Sequence, residues 1–169
     1  MLDERRGRLT RDGIRIHEAQ DFAGMARAGQ VAALILDRVG PLVLPGATTG
    51  AIDAAITRMV GEAGAVSATI GYKGYRHASC ISVNHVVCHG IPGDKVLKDG
   101  DVLNVDVTVI VDGWYGDSSR MYVAGTPSRK AERLIQVTHD ALMLGIEACR
   151  PGATFGDVGA AIQGYVEAN

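Results

Sequence analysis

The stretch that decides the fold is Asp101–Val123, which reads DVLNVDVTVIVDGWYGDSSRMYV. Its first half alternates apolar and polar residues, which is typical of a β-strand with one buried face. Asp112-Gly113 follows, and an Asp-Gly pair between two such runs indicates a two-residue type I′ turn, which requires positive φ at both positions. With that turn, Val111 lies opposite Trp114, and the register of all further pairs follows. The sequence therefore predicts an antiparallel hairpin here.

The two faces of the predicted hairpin differ in chemistry. One row is apolar and is expected to face the core: Leu103, Val105, Val107, Val109 and Val111. The other row is polar: Asn104, Asp106, Thr108, Asp117 and Ser119. The register puts Asp106 opposite Ser119 and Asp117 opposite Thr108, so the two aspartates are diagonal neighbours on one face.

Asp106 and Asp117 are therefore a candidate cation site. Two carboxylates held close together repel, which raises one pKa, and a divalent ion removes this cost. Oxygen ligands suit Mg, Mn, Fe and Co as well as Zn. A solvated outer face is the alternative, because polar rows are ordinary in antiparallel sheets. The spacing alone leaves both interpretations open.

The composition is that of an ordinary globular protein. The chain has 169 residues, a formal charge of −2, 47% hydrophobic residues and 21% charged residues, which excludes disorder and fibrous repeats. It has no basic block for nucleic acid, no apolar run long enough to cross a membrane and no secretory signal in MLDERRGRLTRDG. Its three cysteines favour a reducing compartment. We expect a cytoplasmic protein that binds neither nucleic acid nor membrane.

Helical periodicity flanks a strand-rich region over residues 66–123. It predicts helices over Asp21–Gly40, from Thr48 to Gly64, from Ser128 to Cys149, and from Thr154 onward. Cys149 falls on the apolar face of the third helix with Leu134, Leu142 and Ile146, so it is expected to be a packed core thiol. His17 and His139 are expected at the surface. Residues 1–20 are predicted to form an arm and residues 21–169 one domain.

Two segments of the chain repeat. PGATTGAIDAAI (Pro45–Ile56) and PGATFGDVGAAI (Pro151–Ile162) agree at eight of twelve positions, and each follows a long amphipathic helix and begins another. This order predicts an internal duplication. The strand-rich region follows only the first copy. We therefore expect an α/β (α+β) fold that is cut short within the second of two duplicated halves.

Histidines and cysteines cluster over thirteen residues: His77, Cys80, His85, Cys88 and His89. A structural zinc site is disfavoured, because Cys80–Asn84 alternates like a strand and cannot fold four ligands around one metal. A nucleophilic pair of Cys88 with His89 lacks a nameable orienting group. His89 precedes Gly90-Ile91-Pro92, a turn that would hold it at a strand end, where an imidazole can exchange protons near pH 7.

The chain resembles the bacterial type I methionine aminopeptidase family. The resemblance covers about Asp21 to Asn169, and its most specific motifs are VVCHGIP and NVDVTV followed by GD. It implies the duplicated pita-bread fold of the aminopeptidase and creatinase type. It also implies removal of the initiator methionine from nascent proteins, with two adjacent divalent ions (Co, Mn, Fe, Zn or Ni) as cofactors. The substrate is then the N-terminal methionine of nascent peptides, and the ribosome is a candidate partner.

The resemblance also assigns site residues. Asp106 and Asp117 match two aspartate metal ligands, and His89 matches the catalytic histidine that contacts substrate. Tyr72, Tyr75 and Cys80 fall where the family builds part of its methionine pocket, and a thiol and aromatic rings suit a thioether.

The chain departs from the family pattern at several positions. Arg76, His77 and His85 replace residues common in the family, so the rim of the pocket is expected to differ. A further histidine and two glutamates that complete the family's metal site come later than any residue here. We therefore expect the chain alone to be inactive, and a non-catalytic binding module on the same fold is the alternative function.

Overall fold

The computed structural model describes residues 7–169. Its elements, in chain order, are β1 (Arg8–Leu9), β2 (Arg15–Ile16), α1 (Ala19–Val39), α2 (Thr49–Glu62), β3 (Val66–Ser67), β4 (Ser79–Val83), β5 (Val102–Val111), β6 (Trp114–Val123), α3 (Arg129–Ala148) and α4 (Phe155–Ala168). Short 3-10 turns lie at Gly40–Leu42 and Tyr72–Gly74. The four predicted helices and the predicted hairpin are all present, with boundaries that differ by a few residues.

The chain forms two compact units, one extending to Gly125 and the other comprising Thr126–Asn169. The division into an arm over residues 1–20 and a domain over residues 21–169 stays a prediction. The first six residues of that arm lie outside the described residues, and its next part forms the short β1–β2 hairpin.

The first unit is built on an antiparallel sheet with β5 at its centre. β6 pairs with β5 along its whole length, while β4 and β3 pair with successive parts of its other edge. The turn residues Asp112 and Gly113 have φ of 49° and 80°, as a type I′ turn requires. The predicted turn and strand register are confirmed.

The core of the first unit lies between this sheet and helices α1 and α2. The apolar row of β5 faces it, and Leu103, Val105, Val107 and Val109 are fully buried. α1 contributes Ile35, Leu36 and Val39, and α2 contributes Ile52 and Ile56. The polar row of β5 therefore lies on the opposite face of the sheet.

The second unit consists of α3 and α4. Thr154 caps α4 in a reciprocal capping box with Asp157, and Thr48 caps α2 by accepting a hydrogen bond from the Ala51 N–H. Helix lengths also correspond, with 21 and 14 residues in α1 and α2 and 20 and 14 in α3 and α4. The two copies of the repeated segment thus occupy equivalent helix starts.

One prediction about side-chain burial is wrong. Cys149 is exposed, and it ends α3 instead of packing in a core. Within this unit the small residue Gly145 packs against Ile162 and Val158 of α4, while Leu134, Leu142 and Ile146 are exposed. Close helix approach selects small residues, which a search for large apolar ones does not find.

His17 is partly exposed, with 35% of its side-chain surface accessible, and its ring has two neighbours. It lies edge-on to Trp114, with ring centroids 5.3 Å apart, and its Nδ1 is 3.5 Å from the Asp21 carboxylate. His139 is exposed, as expected. Among the described residues, no helix has the length and apolar character needed to span a membrane.

Candidate metal and substrate site

The hairpin brings the two candidate metal ligands together. Asp106 pairs with Ser119 and Thr108 pairs with Asp117, so both aspartates lie on the face opposite the buried valines. They line the same cavity of about 720 Å³. Thr108 Oγ1 donates a hydrogen bond of 3.0 Å to Asp117 Oδ1, which orients that carboxylate.

Asp106 lies in an electrostatic setting that favours its neutral form. Burial raises the pKa of this carboxyl first, and the nearby negative charge of Asp117 raises it further. His89 lies close enough to lower the same pKa in part. The ionised pair is therefore unfavourable without a counter-charge.

A divalent cation fits this donor set. It would supply the counter-charge that the two carboxylates lack, and carboxylate oxygens are suitable ligands for hard divalent ions. Within residues 7–169, no group of three or more His, Cys, Asp or Glu side chains is arranged to hold a metal ion. Asp106 and Asp117 are thus suited to form part of a metal site.

The remaining predicted site residues line the same cavity: Tyr72, Tyr75, Cys80 and His89. Cys80 pairs directly with Asp106 across β4 and β5, so the thiol lies beside the candidate metal ligand. Tyr75 Oη donates a hydrogen bond of 2.8 Å to the Ser79 carbonyl. Burial raises the pKa of both the Tyr75 hydroxyl and the Cys80 thiol, so both groups are neutral and suited to an apolar ligand.

His89 is held at the cavity by the turn that follows it. Its φ of 54° lies in the left-handed region, and the next residue packs directly on β4. Gly90 N–H donates to Ser82 Oγ at 3.0 Å, and Ile81 N–H donates to the Gly90 carbonyl at 2.8 Å. A Cβ at Gly90 would overlap with the Ile81 carbonyl. Only glycine allows this approach.

The other histidines and cysteines of the cluster point to separate places. His77 Nδ1 lies 3.0 Å from Asp53 Oδ2, and His85 lines a different cavity of about 250 Å³. Cys88 is exposed, but it lies near enough to Cys80 to help raise the pKa of that thiol. Only His77 and His85 are therefore turned away from the cavity.

Sequence reasoning missed several residues of the cavity and its support. Thr69 and Tyr115 line the cavity, and Asp53 supports the chain segment that leads into Cys80. Asp53 carried a signal, because it is a carboxylate on the buried face of α2, between Ile52 and Ile56. Thr69 and Tyr115 carried none.

Comparison with known proteins agrees with this geometry. The model of metallopeptidase family M24 matches residues 23–169. The methionine aminopeptidase of Rickettsia prowazekii is 52% identical over 91% of this chain and 60% of that protein. The methionine aminopeptidase of Escherichia coli K12 is 47% identical over 92% of this chain and 60% of that protein. The chain thus spans about 60% of the length of the curated relatives it matches.

Comparison with solved structures finds the same fold in related proteins. The crystal structure of the Rickettsia prowazekii methionine aminopeptidase superposes with a TM-score of 0.90, at 52% identity, over 92% of this chain and 62% of that one. The methionine aminopeptidase of Thermotoga maritima superposes with a TM-score of 0.88, at 35% identity, over 92% of this chain and 63% of that one. The prolidase of Pyrococcus furiosus, at 18% identity and a TM-score of 0.80 over 90% of this chain and 44% of that one, shares the fold alone.

Proposed function

Since the chain belongs to metallopeptidase family M24, we propose that it serves to remove the initiator methionine from nascent proteins by metal-assisted peptide hydrolysis, and that it carries part of the metal site. Its fold is the mixed α/β pita-bread fold of that family, as the sequence predicts. The observation that carries the proposal is one cavity, which combines the Asp106–Asp117 pair with His89 and a wall of Tyr72, Tyr75 and Cys80.

Asp106 and Asp117 are the proposed metal ligands. Members of this family use divalent metal ions. A bound divalent ion polarises a peptide carbonyl and lowers the pKa of water. The protein itself contributes two neighbouring carboxylates that would both be ionised when the ion is bound. Thr108 contributes by fixing the orientation of Asp117 through its hydroxyl.

His89 is the proposed catalytic residue. It lines the cavity near Asp106, and histidine is the side chain that most often transfers protons in catalysis. From this place it would contact the peptide group of the substrate. The rigid turn at Gly90 keeps the ring there before substrate binds.

Tyr72, Tyr75 and Cys80 are the proposed contacts for the methionine side chain. Their rings and thiol offer a polarizable surface, and thioethers make favourable contacts with aromatic rings. Tyr75 uses its hydroxyl on the Ser79 carbonyl, which leaves its ring for an apolar ligand.

The finer features of the proposal come from the family resemblance. They are two metal ions per complete site, with Asp117 bridging toward the second, and Co, Mn, Fe, Zn or Ni as their identity. A cytoplasmic location and an encounter with nascent chains at the ribosome belong with them.

A non-catalytic binding module is the second candidate. Within residues 7–169, no third His, Cys, Asp or Glu side chain is arranged with the two aspartates so as to hold a metal ion, which favours this candidate for the isolated chain. Such a module would bind a cation and an N-terminal methionine and would cleave nothing.

The test is to titrate the purified chain with Mn²⁺ and with Co²⁺ by calorimetry, and then to assay methionine release from Met-Ala-Ser. We expect divalent-ion binding that Asp106→Asn and Asp117→Asn abolish. Asp112→Asn is the matched control, since it removes an exposed carboxylate from the turn of the same hairpin and suits a type I′ turn.

The outcomes bear on both candidates. Methionine release that depends on Asp106 would rule out the binding module, whereas binding of a cation and of methionine without release fits the binding module as well as a peptidase of which this chain carries part of the metal site. Binding that survives in Asp106→Asn and Asp117→Asn would contradict the proposed metal site.

A further inference from the structure

A buried carboxylate outside the cavity holds the cavity wall in place. We propose that Asp53 is a positioning residue, which sets the placement of Tyr75 and Cys80 through the segment His77–Ser79. The identity of the ligand in that cavity rests on the proposed function, but the positioning itself does not.

Asp53 lies on the buried face of α2, with only 7% of its surface exposed. Its Oδ1 accepts three hydrogen bonds, from the Ala78 N–H at 3.0 Å, the Ser79 N–H at 3.0 Å and Ser79 Oγ at 2.8 Å. Its Oδ2 lies 3.0 Å from His77 Nδ1. One carboxylate therefore binds three consecutive residues.

That segment connects directly to the cavity wall. Ser79 precedes Cys80 in β4, and the Ser79 carbonyl accepts the hydrogen bond from Tyr75 Oη. The His77 carbonyl accepts a hydrogen bond of 2.7 Å from Thr69 Oγ1. Thr69, Tyr75 and Cys80 all line the cavity. Thr69 and Tyr75 are hydrogen-bonded to the segment that Asp53 holds, and Cys80 follows it directly in the chain.

The His77 ring reinforces this arrangement from the outer side. It lies edge-on to the Tyr75 ring, with centroids 5.5 Å apart, while its Nδ1 faces Asp53. The ring thus joins the buried carboxylate to the aromatic wall.

Removing the carboxylate leaves buried donors without a partner. The N–H groups of Ala78 and Ser79 would then lie unsatisfied in the interior, and this penalty favours local opening of the segment. Opening would move Tyr75 and Cys80 away from each other. The hairpin that carries Asp106 and Asp117 is paired separately along β6 and would stay in place.

The experiment measures alkylation of Cys80 by iodoacetamide in the full chain with EDTA present, by peptide mass spectrometry. Cys149, in the second unit, is the internal reference. The variants are Asp53→Ala, Asp53→Asn and His77→Ala. Glu62→Gln is the matched control, because it removes an exposed carboxylate from the end of the same helix.

We expect the Cys80 rate, relative to Cys149, to rise about tenfold in Asp53→Ala, because a buried charged acceptor is lost. Asp53→Asn keeps one oxygen for the two N–H groups and should partly restore protection. His77→Ala loses one contact of four and should give a rise of about twofold to threefold. Glu62→Gln should match the unchanged protein.

A structural role alone predicts lower thermal stability with the Cys80 to Cys149 ratio unchanged, and that result would overturn the proposal. If Asp53→Ala does not fold, the ratios in Asp53→Asn and His77→Ala decide, and two ratios equal to that of Glu62→Gln would overturn it as well.

A second measurement separates this inference from the proposed function. Binding of L-methioninamide and L-alaninamide is followed by NMR, and we expect the preference for methionine to fall in Asp53→Ala. Loss of the preference in the variant supports positioning of a methionine pocket. A shifted Cys80 ratio with no methionine binding in any variant contradicts the proposed function and leaves the positioning role supported.

Discussion

At the scale of single residues, the site is defined by a carboxylate pair whose charge is not balanced. Asp106 is half-buried, next to Asp117 and opposite Cys80. Burial and the neighbouring carboxylate both raise its pKa. Carboxylates with pKa values perturbed by burial and by a like charge are common at functional sites.

The charge of Asp106 should therefore lower the stability of the metal-free chain. Its folded pKa is raised, so the stabilising effect of its neutral form is complete below the unfolded pKa and is lost as the pH rises through the folded pKa. We expect Asp106→Asn to gain stability over the unchanged protein between about pH 4 and pH 7. Urea unfolding with EDTA across this range measures it.

With Mn²⁺ present, we expect the unchanged protein to be more stable than Asp106→Asn. A bound cation stabilises the folded chain, and Asp106→Asn should lose that gain while Asp112→Asn keeps it. An Asp106→Asn variant that is less stable than the unchanged protein at neutral pH without metal would contradict this account.

At the scale of elements, the hairpin depends on a close approach to α1. Gly116 lies in β6 next to Asp117, and a Cβ there would overlap with the backbone of Ala28 and Gly29. Tyr122 and Arg120 add bonds from β6 to the Leu36 carbonyl and to Asp37. The strand that carries Asp117 is thus held directly against the helix.

Gly116→Ala should destabilise the chain by about 1–3 kcal/mol, because the helix backbone cannot yield as a flexible side chain would. It should also weaken Mn²⁺ binding, since Asp117 is the next residue. Thermal unfolding and calorimetry check both effects.

Gly29→Ala is the control on the facing helix. A Cβ there meets nothing within 4 Å, so helix propensity predicts a gain of about 1 kcal/mol. Equal changes in stability for Gly116→Ala and Gly29→Ala would show that the close contact between β6 and α1 does not contribute to the stability of the fold.

At the scale of the whole molecule, the candidate site belongs to one compact unit. In the sequence, the residues of the large apolar cluster fall within 32–124. The residues that line the cavity fall within 68–117. The first unit, which extends to Gly125, therefore contains its own core as well as the site.

A fragment comprising residues 1–125 should fold cooperatively and bind Mn²⁺ as the full chain does. Circular dichroism during thermal unfolding, with and without Mn²⁺, tests this expectation. A fragment that is unfolded, or that folds without binding the ion, would show that residues 126–169 are needed for the site.

The sequence alone determined the features that depend on short-range rules. Asp112-Gly113 set the turn, the turn set the register, and the register put Asp106 beside Asp117. Thr48 and Thr154 marked two helix starts in the same way. The motifs around His89 and Asp106 indicated the family. These inferences hold because turn conformation, strand alternation and helix capping involve residues only a few positions apart.

Only the tertiary structure decided which groups meet across long separations. The bond from Ala78 to Asp53 joins residues 25 positions apart, and no periodicity predicts it. The same is true of Thr69 in the cavity, of His17 against Trp114 and of the exposure of Cys149. Burial and partnership depend on what packs against a side chain, and packing is set by the whole fold and not by the neighbouring sequence.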